Sequence, residues 1–201
     1  KIKAQVFVGG SLAKETLIKK AKYDIDLFVR FERKYSEAEM KKIMRKIFFW
    51  FRVPSNFTKI KRIHGSRDYY QIILRKSKHI SFEVIPVVKI TKPEKARNIT
   101  DLSYFHVNYL NSKIGKSKKL ANEIMLAKSF CHAQKCYGAE SYIRGFSGYS
   151  LELLLTHYKT FLKFLKETSD AKEKLIIDPA KHYKNKKELL NNLSDAKKHS
   201  P

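Results

Sequence analysis

The stretch from Val8 to Phe28 constrains this chain more than any other, because it sets two chemically marked features close together. An alternating apolar run, Gln5-Val6-Phe7-Val8, predicts a buried strand; Gly9-Gly10 breaks it, and Ser11 opens a predicted short helix. A glycine turn between strand and helix lets backbone N–H groups approach a phosphate, and the helix start adds unpaired donors and a favourable dipole. A triphosphate suits such a turn. In Tyr23-Asp24-Ile25-Asp26-Leu27-Phe28-Val29, strand periodicity puts Asp24 and Asp26 on one face and Ile25 and Leu27 on the other. The two carboxylates repel each other unless cations hold them, and hard oxygen donors beside phosphate favour Mg²⁺. Singly, Gly-Gly-Ser is an ordinary turn and Asp-x-Asp an ordinary pair of surface acids. Their order and closeness point to a site.

Downstream, Ser36-Glu37-Ala38-Glu39 has the pattern of a helix N-cap with acids in the first turn, and Met40, Ile43, Met44, Ile47, Phe48 and Phe51 form a helical apolar face that Pro54 ends. Strands are predicted at Thr58 to Ile63, Tyr69 to Leu74 and Ile80 to Val88, with turns at Gly65-Ser66 and Lys76-Ser77-Lys78. Glu83 sits among apolar neighbours on the last of these, where a carboxylate is costly without a cation; on a solvent-facing edge strand it would be an ordinary exposed acid. Beyond a linker at Pro93-Glu94-Lys95, the spacing predicts helices over Asp101 to Ile114 and Ser117 to Lys135, separated by Gly115. The expected organisation is α+β: a mixed sheet with packed helices over residues 1–96, then an all-helical domain over 97–201.

The surface chemistry narrows the partner. Lys and Arg number 43 against 19 Asp and Glu, a formal charge of +24, which suits a polyanion such as nucleic acid or an acidic membrane. No apolar run approaches membrane-spanning length; even Ile43 to Val53 is interrupted by Arg45, Lys46 and Arg52, so a soluble protein without membrane is expected. Cys131 and Cys136 are too few for a zinc site or disulfide framework, which predicts reduced thiols and a cytoplasmic setting. The chain starts at Lys1, almost directly in a strand, with nothing resembling a signal peptide, as expected of a fragment. The sequence sets no oligomeric state.

The string Arg144-Gly145-Phe146-Ser147-Gly148-Tyr149, followed by Glu152-Leu153-Leu154, reads physically as a glycine-punctuated loop entering an apolar helix, with Ser147 as N-cap. The glycine turn and Asp24/Asp26 resemble the DNA polymerase β nucleotidyltransferase superfamily. With Glu83-Val84-Ile85-Pro86, this string and Ile177-Asp178-Pro179 in the same order, the chain resembles the archaeal, class I CCA-adding enzymes. That resemblance covers essentially the whole chain but only the catalytic head and central helical part of a longer enzyme. It implies a polymerase β-like head, and template-independent transfer of CMP and AMP from CTP and ATP to a tRNA 3′ end, releasing pyrophosphate. It also implies metal ligands and catalytic residues Asp24, Asp26 and Glu83, where the family usually has Asp at the last position. Gly10, Ser11 and Lys14 match its phosphate contacts, and His106, Lys128 and Tyr137 the rest of its nucleotide pocket. Read without the family, the last three are an ordinary half-buried histidine, a surface lysine and a packed aromatic. Glu15 and Leu17 depart from the family pattern, and Lys184 stands where the family uses an Arg to help select the base. A poly(A) polymerase or oligoadenylate synthase shares the same head, and an RNA-binding remnant without activity shares the same charge.

Overall fold

A computed structural model describes residues 2–52, 58–74, 76, 77, 79–115, 117–140, 142–172, 175–181 and 183–192, with backbone alone at 51, 52, 186 and 192. The elements are β1 (Ala4–Val8), α1 (Gly10–Ala13), β2 (Tyr23–Phe31), α2 (Glu37–Arg52), β3 (Thr58–Ile63), β4 (Tyr69–Leu74) and β5 (Ile80–Val88). After two 3₁₀ turns, Pro93–Lys95 and Ile99–Leu102, come α3 (Ser103–Ile114), α4 (Lys118–Ala133), α5 (Gly148–Tyr158), α6 (Phe161–Ser169) and α7 (Lys186–Asn192). They divide into two compact units, Lys1–Tyr109 and Leu110–Pro201.

The first unit is a five-stranded mixed sheet in the order β1-β2-β5-β4-β3, antiparallel except where β2 and β5 run parallel. Its strands alternate, so each face has its own set of side chains. One face takes α2: Met40, Met44 and Phe48 pack on Phe31, Tyr70, Val84 and Val88, with the Phe48 and Tyr70 rings stacked at 4.2 Å. Ser36 starts that helix as its side chain suggests, accepting from Glu39 N at 3.2 Å while Glu39 Oε2 accepts from Ser36 N at 2.8 Å. The side chain of Phe51 and the predicted stop at Pro54 lie outside the described residues, as does Lys78 of the second turn. The opposite face carries a smaller apolar set, Phe28, Ile85 and Val87 with Phe7 and Tyr69.

β1 corrects the sequence reading. It forms the sheet edge, and Val6 and Val8 are 67% and 44% exposed, so the run is a strand but not a buried one. A run of apolar residues cannot reveal that its strand has a neighbour on one side only.

The chain beyond the linker stays with this unit because of one buried charge. Asp101 accepts from Val88 N (2.7 Å), Arg97 N (3.0 Å) and Asn98 N (3.1 Å). Arg67, also buried, donates to Asp101 (2.5 Å), Pro86 O (3.1 Å) and Thr100 Oγ1 (3.0 Å), and its other edge meets Glu37 of α2. One guanidinium thus ties the β3–β4 turn, β5, α2 and the turn before α3.

The second unit is helical. Ser117 and Ser147 cap α4 and α5, and Leu120, Ile124, Ala127, Leu151, Leu155, Tyr158, Phe161 and Phe164 are buried. The segment between α4 and α5 folds back on itself: Cys136 O accepts from Phe146 N (2.9 Å), and Gly138 N donates to Phe146 O (2.8 Å). A Cβ on Gly145 would lie 2.0 Å from Cys136 O, which leaves glycine alone able to close the loop there. No helix among the described residues is long and apolar enough to cross a membrane.

Candidate active site

The turn after β1 is built against the Asp pair. Gly9 N donates to Asp26 O (2.9 Å), and a Cβ on Gly9 would strike the Phe28 ring at 2.2 Å. Gly10 has φ +59, and a Cβ there would stand 1.6 Å from Asp26 Oδ2. Its backbone conformation and the space beside it both call for glycine. The helix opens at Gly10 rather than at Ser11 and lasts one turn, Gly10–Ala13, with Gly9 as N-cap. Gly10→Ala is therefore expected to cost about 1–2 kcal/mol from the left-handed backbone alone and to displace the Asp26 carboxylate. Urea denaturation of Gly10→Ala, Asp26→Ala and the double variant checks this: the double variant should be less destabilised than the sum of the two single effects, because Asp26→Ala removes the carboxylate that the new Cβ meets.

The sheet register brings the acids together. Asp24 and Asp26 pair with Ser81 and Glu83 across the parallel β2–β5 ladder, so all four share one face. Ser81 Oγ donates to Asp24 Oδ1 at 2.5 Å. Burial, and then the charge of Asp24, push the Asp26 carboxyl up to about 6, against smaller opposing pulls from Lys14 and Lys20. Burial, then Asp26 and Asp24, push Glu83 up to about 7, while a hydrogen bond from Gln71 acts the other way. Tyr69 is raised by burial and by the same three acids.

This is negative charge gathered on one face of a sheet and left short of compensation, which a hard divalent cation would supply; the donor set fits such an ion. Among the described residues, however, no group of three or more His, Cys, Asp and Glu side chains stands ready-made around a metal position. The acids are electrostatically coupled without being preassembled.

The other predicted site residues divide between the units. Ser11 is half-buried, and its carbonyl accepts from Thr16 N at 3.0 Å. Lys14 is only 7% exposed and directs charge at Asp26. His106 lies half-buried on α3 within the first unit. In the second unit Lys128, 1% exposed, is no surface lysine: its Nζ donates to Glu152 Oε1 at 2.6 Å. The Tyr137 hydroxyl lies 2.5 Å from where a Cβ on Gly148 would be, so that glycine makes room for it, with Lys128 Cε at an ordinary contact distance of 3.8 Å. Lys184 is exposed in a turn, donating its N–H to Glu188 Oε2 (2.8 Å). That turn follows Asp178, whose Oδ2 accepts from Tyr183 N at 2.9 Å. Sequence reasoning missed Gln71, Ser81 and Glu152. The Glu following Ser147-Gly148-Tyr149 in the helix is the one signal that could have suggested Glu152.

Comparison with known proteins bears on both units. The family described as tRNA nucleotidyltransferase, second domain, matches residues 122–196. The CCA-adding enzyme of Nanoarchaeum equitans is 39% identical over 98% of this chain and 46% of its own length. That of Methanocaldococcus jannaschii is 34% identical over 83% of this chain and 35% of its own length. The chain thus spans less than half of these relatives. Among solved structures, the RNA terminal uridylyl transferase Cid1 superposes with TM-score 0.57 at 14% identity, covering 77% of this chain and 41% of that one. CdnC of E. coli MS115-1, solved with ATP, gives TM-score 0.55 at 16% identity, covering 88% and 61%. The fold is that of the polymerase β-like nucleotidyltransferases, and by its sequence this chain belongs to the archaeal-type CCA-adding enzyme family.

Proposed function

We propose that this chain transfers CMP and AMP from CTP and ATP to the 3′ end of tRNA, adding CCA without a nucleic-acid template. The observation that carries this reading is the coupled set Asp24, Asp26 and Glu83, with Asp26 pressed against the Gly10 turn, in a chain related over nearly its whole length to CCA-adding enzymes. Asp24, Asp26 and Glu83 would hold Mg²⁺, which would supply the charge that activates the attacking hydroxyl and offsets the departing pyrophosphate. The chain's own part is to present these carboxylates unprotonated, and the values near 6 and 7 at Asp26 and Glu83 make that presentation improve as pH rises through that range. Glu83 carries its oxygens about one C–C bond, ~1.5 Å, farther from the backbone than the Asp usual in the family.

The Gly10 turn and Ser11 receive the triphosphate, with Lys14 supplying charge beneath it. His106, Lys128 and Tyr137 complete the nucleotide pocket, and the exposed Lys184 lies beside the incoming base. A lysine there presents a mobile point charge where arginine would present a planar fork, so base choice is looser than in relatives with Arg. Residues 1–96 act as the catalytic head and 97–201 as the domain that completes the pocket and contacts RNA. A cytoplasmic location goes with these substrates.

The test is to incubate the purified chain with tRNA lacking its 3′ CCA, Mg²⁺ and each labelled NTP in turn, and to sequence the extended ends. Added C and A are expected, and Asp24→Ala should lower the rate at least about 10³-fold with its circular dichroism unchanged. RNA binding without any transfer would replace this reading with that of an inactive remnant.

A further inference from the structure

The sheet register places two lysines in line with the acids. Across four strands Asp26 pairs with Glu83, Glu83 with Gln71, and Gln71 with Lys61; in the neighbouring row Asp24 pairs with Ser81, Ser81 with Ile73, and Ile73 with Lys59. Residues paired directly across strands share a face. Two contacts bear this out: Ser81 Oγ reaches Asp24, and Gln71 hydrogen-bonds Glu83. On β3 the alternate residue Ile60 faces the other way, into the core under α2, and Arg62 turns that way to Asp68. Lys59 and Lys61 are both exposed, and neither enters a hydrogen bond or ion pair among the described residues. Two strand spacings, about 10 Å, separate their strand from that of Glu83. Along this face the charge changes from carboxylates on β2 and β5, through the amide of Gln71, to ammonium groups on the β3 edge.

We propose that Lys59 and Lys61 are phosphate contacts for the acceptor RNA strand, which runs from the β3 edge along the sheet face that carries the acids, with its 3′ end at Asp24 and Asp26. This rests on the reading of the chain as an RNA 3′-end transferase. A strand laid this way puts its phosphates over cations and keeps them away from the carboxylates, whereas toward the β1 edge the same face carries Phe7, Phe28 and Gln5, and its one cation on β2, Arg30, is already taken up by Ile90 O (3.3 Å) and the Tyr104 ring (4.1 Å). The contacts are to the backbone, so they position the strand without reading its sequence.

The experiment measures binding of a fluorescent tRNA transcript lacking its 3′ CCA between 50 and 500 mM salt. It compares the chain with the double variant Lys59→Gln/Lys61→Gln and with a control, Lys42→Gln/Lys46→Gln, on the exposed side of α2. Removing two single-strand phosphate contacts lowers the slope of log K against log salt by about 1.4, so the chain and the β3 variant converge by about 25-fold across that range. In the transfer assay the KM for RNA should rise by more than kcat falls, and Lys59→Arg/Lys61→Arg should restore both slope and KM. An unchanged slope in the β3 variant, or the same loss in the α2 control, overturns the proposal. A β3 variant that binds normally but aggregates overturns it too, showing the lysines to be guards of an unpaired strand edge. If the unaltered chain transfers no nucleotide, the reading under Proposed function fails by itself, while the slope still decides the place of these two residues.

Discussion

Asp26→Asn should make the metal-free chain more stable and leave it without nucleotide transfer. Burial and Asp24 hold the folded Asp26 carboxyl at about 6 against an ordinary value of 3.8. The folded state therefore binds this proton more tightly than the unfolded state does. Its favourable contribution is full below pH ~4, falls as pH rises toward 6, and by pH 7 the ionised group costs about 3 kcal/mol relative to a neutral one. Asparagine keeps the shape and removes the charge. For a chain of this size the gain corresponds to about 6–12 °C in melting temperature, measured in EDTA at pH 7 and vanishing at pH 4. Added Mg²⁺ should raise the melting temperature of the unaltered chain, more at pH 8 than at pH 6, and leave the variant where it was. A variant no more stable than its parent would mean that the native state has already relieved the charge.

The second large effect lies in the helical unit. Lys128→Met removes the ammonium that compensates a wholly buried Glu152, and the expected loss is about 3–5 kcal/mol, read from urea denaturation. Adding Glu152→Leu should recover most of it, because replacing both charges by apolar groups spares the desolvation of either. The double variant then separates two roles that Lys128 combines. If Lys128 also meets the triphosphate, the restabilised protein keeps its fold but shows a raised KM for CTP and ATP. An unaltered KM would confine Lys128 to the core.

Much of this could be read along the chain, because it depended on neighbours in sequence. Alternation located β3, β4 and β5, and Ser36, Ser117 and Ser147 each sit at a helix start as their side chains suggest. The spacing of Asp24 and Asp26 gave their shared face, which depends only on the pleat. What could not be read is everything set by register between distant strands. Nothing local says that β5 inserts beside β2, that Gln71 stands next to Glu83, or that β1 is an edge. Partners of buried charges were hidden for the same reason. Lys128 and Glu152 stand 24 residues apart and Arg67 and Asp101 stand 34 apart, and a lysine in an amphipathic helix carries no local sign of burial.

The parallel pairing of β2 with β5 has a consequence for the order of events in time. Asp24 and Ser81 are 57 residues apart, and β5 meets β2 only by closing the long loop that holds α2, β3 and β4. Closing such a long parallel crossover is slow, and contacts made by β5 come late. Until then Asp26 and Glu83 are dispersed and hydrated, and their repulsion does not yet exist. An ion that neutralises them has nothing to stabilise in the species that limits folding, and everything to stabilise once β5 is seated. Its effect falls on the rate of unfolding: bound ion prolongs the native state's lifetime and leaves the speed of reaching it unchanged.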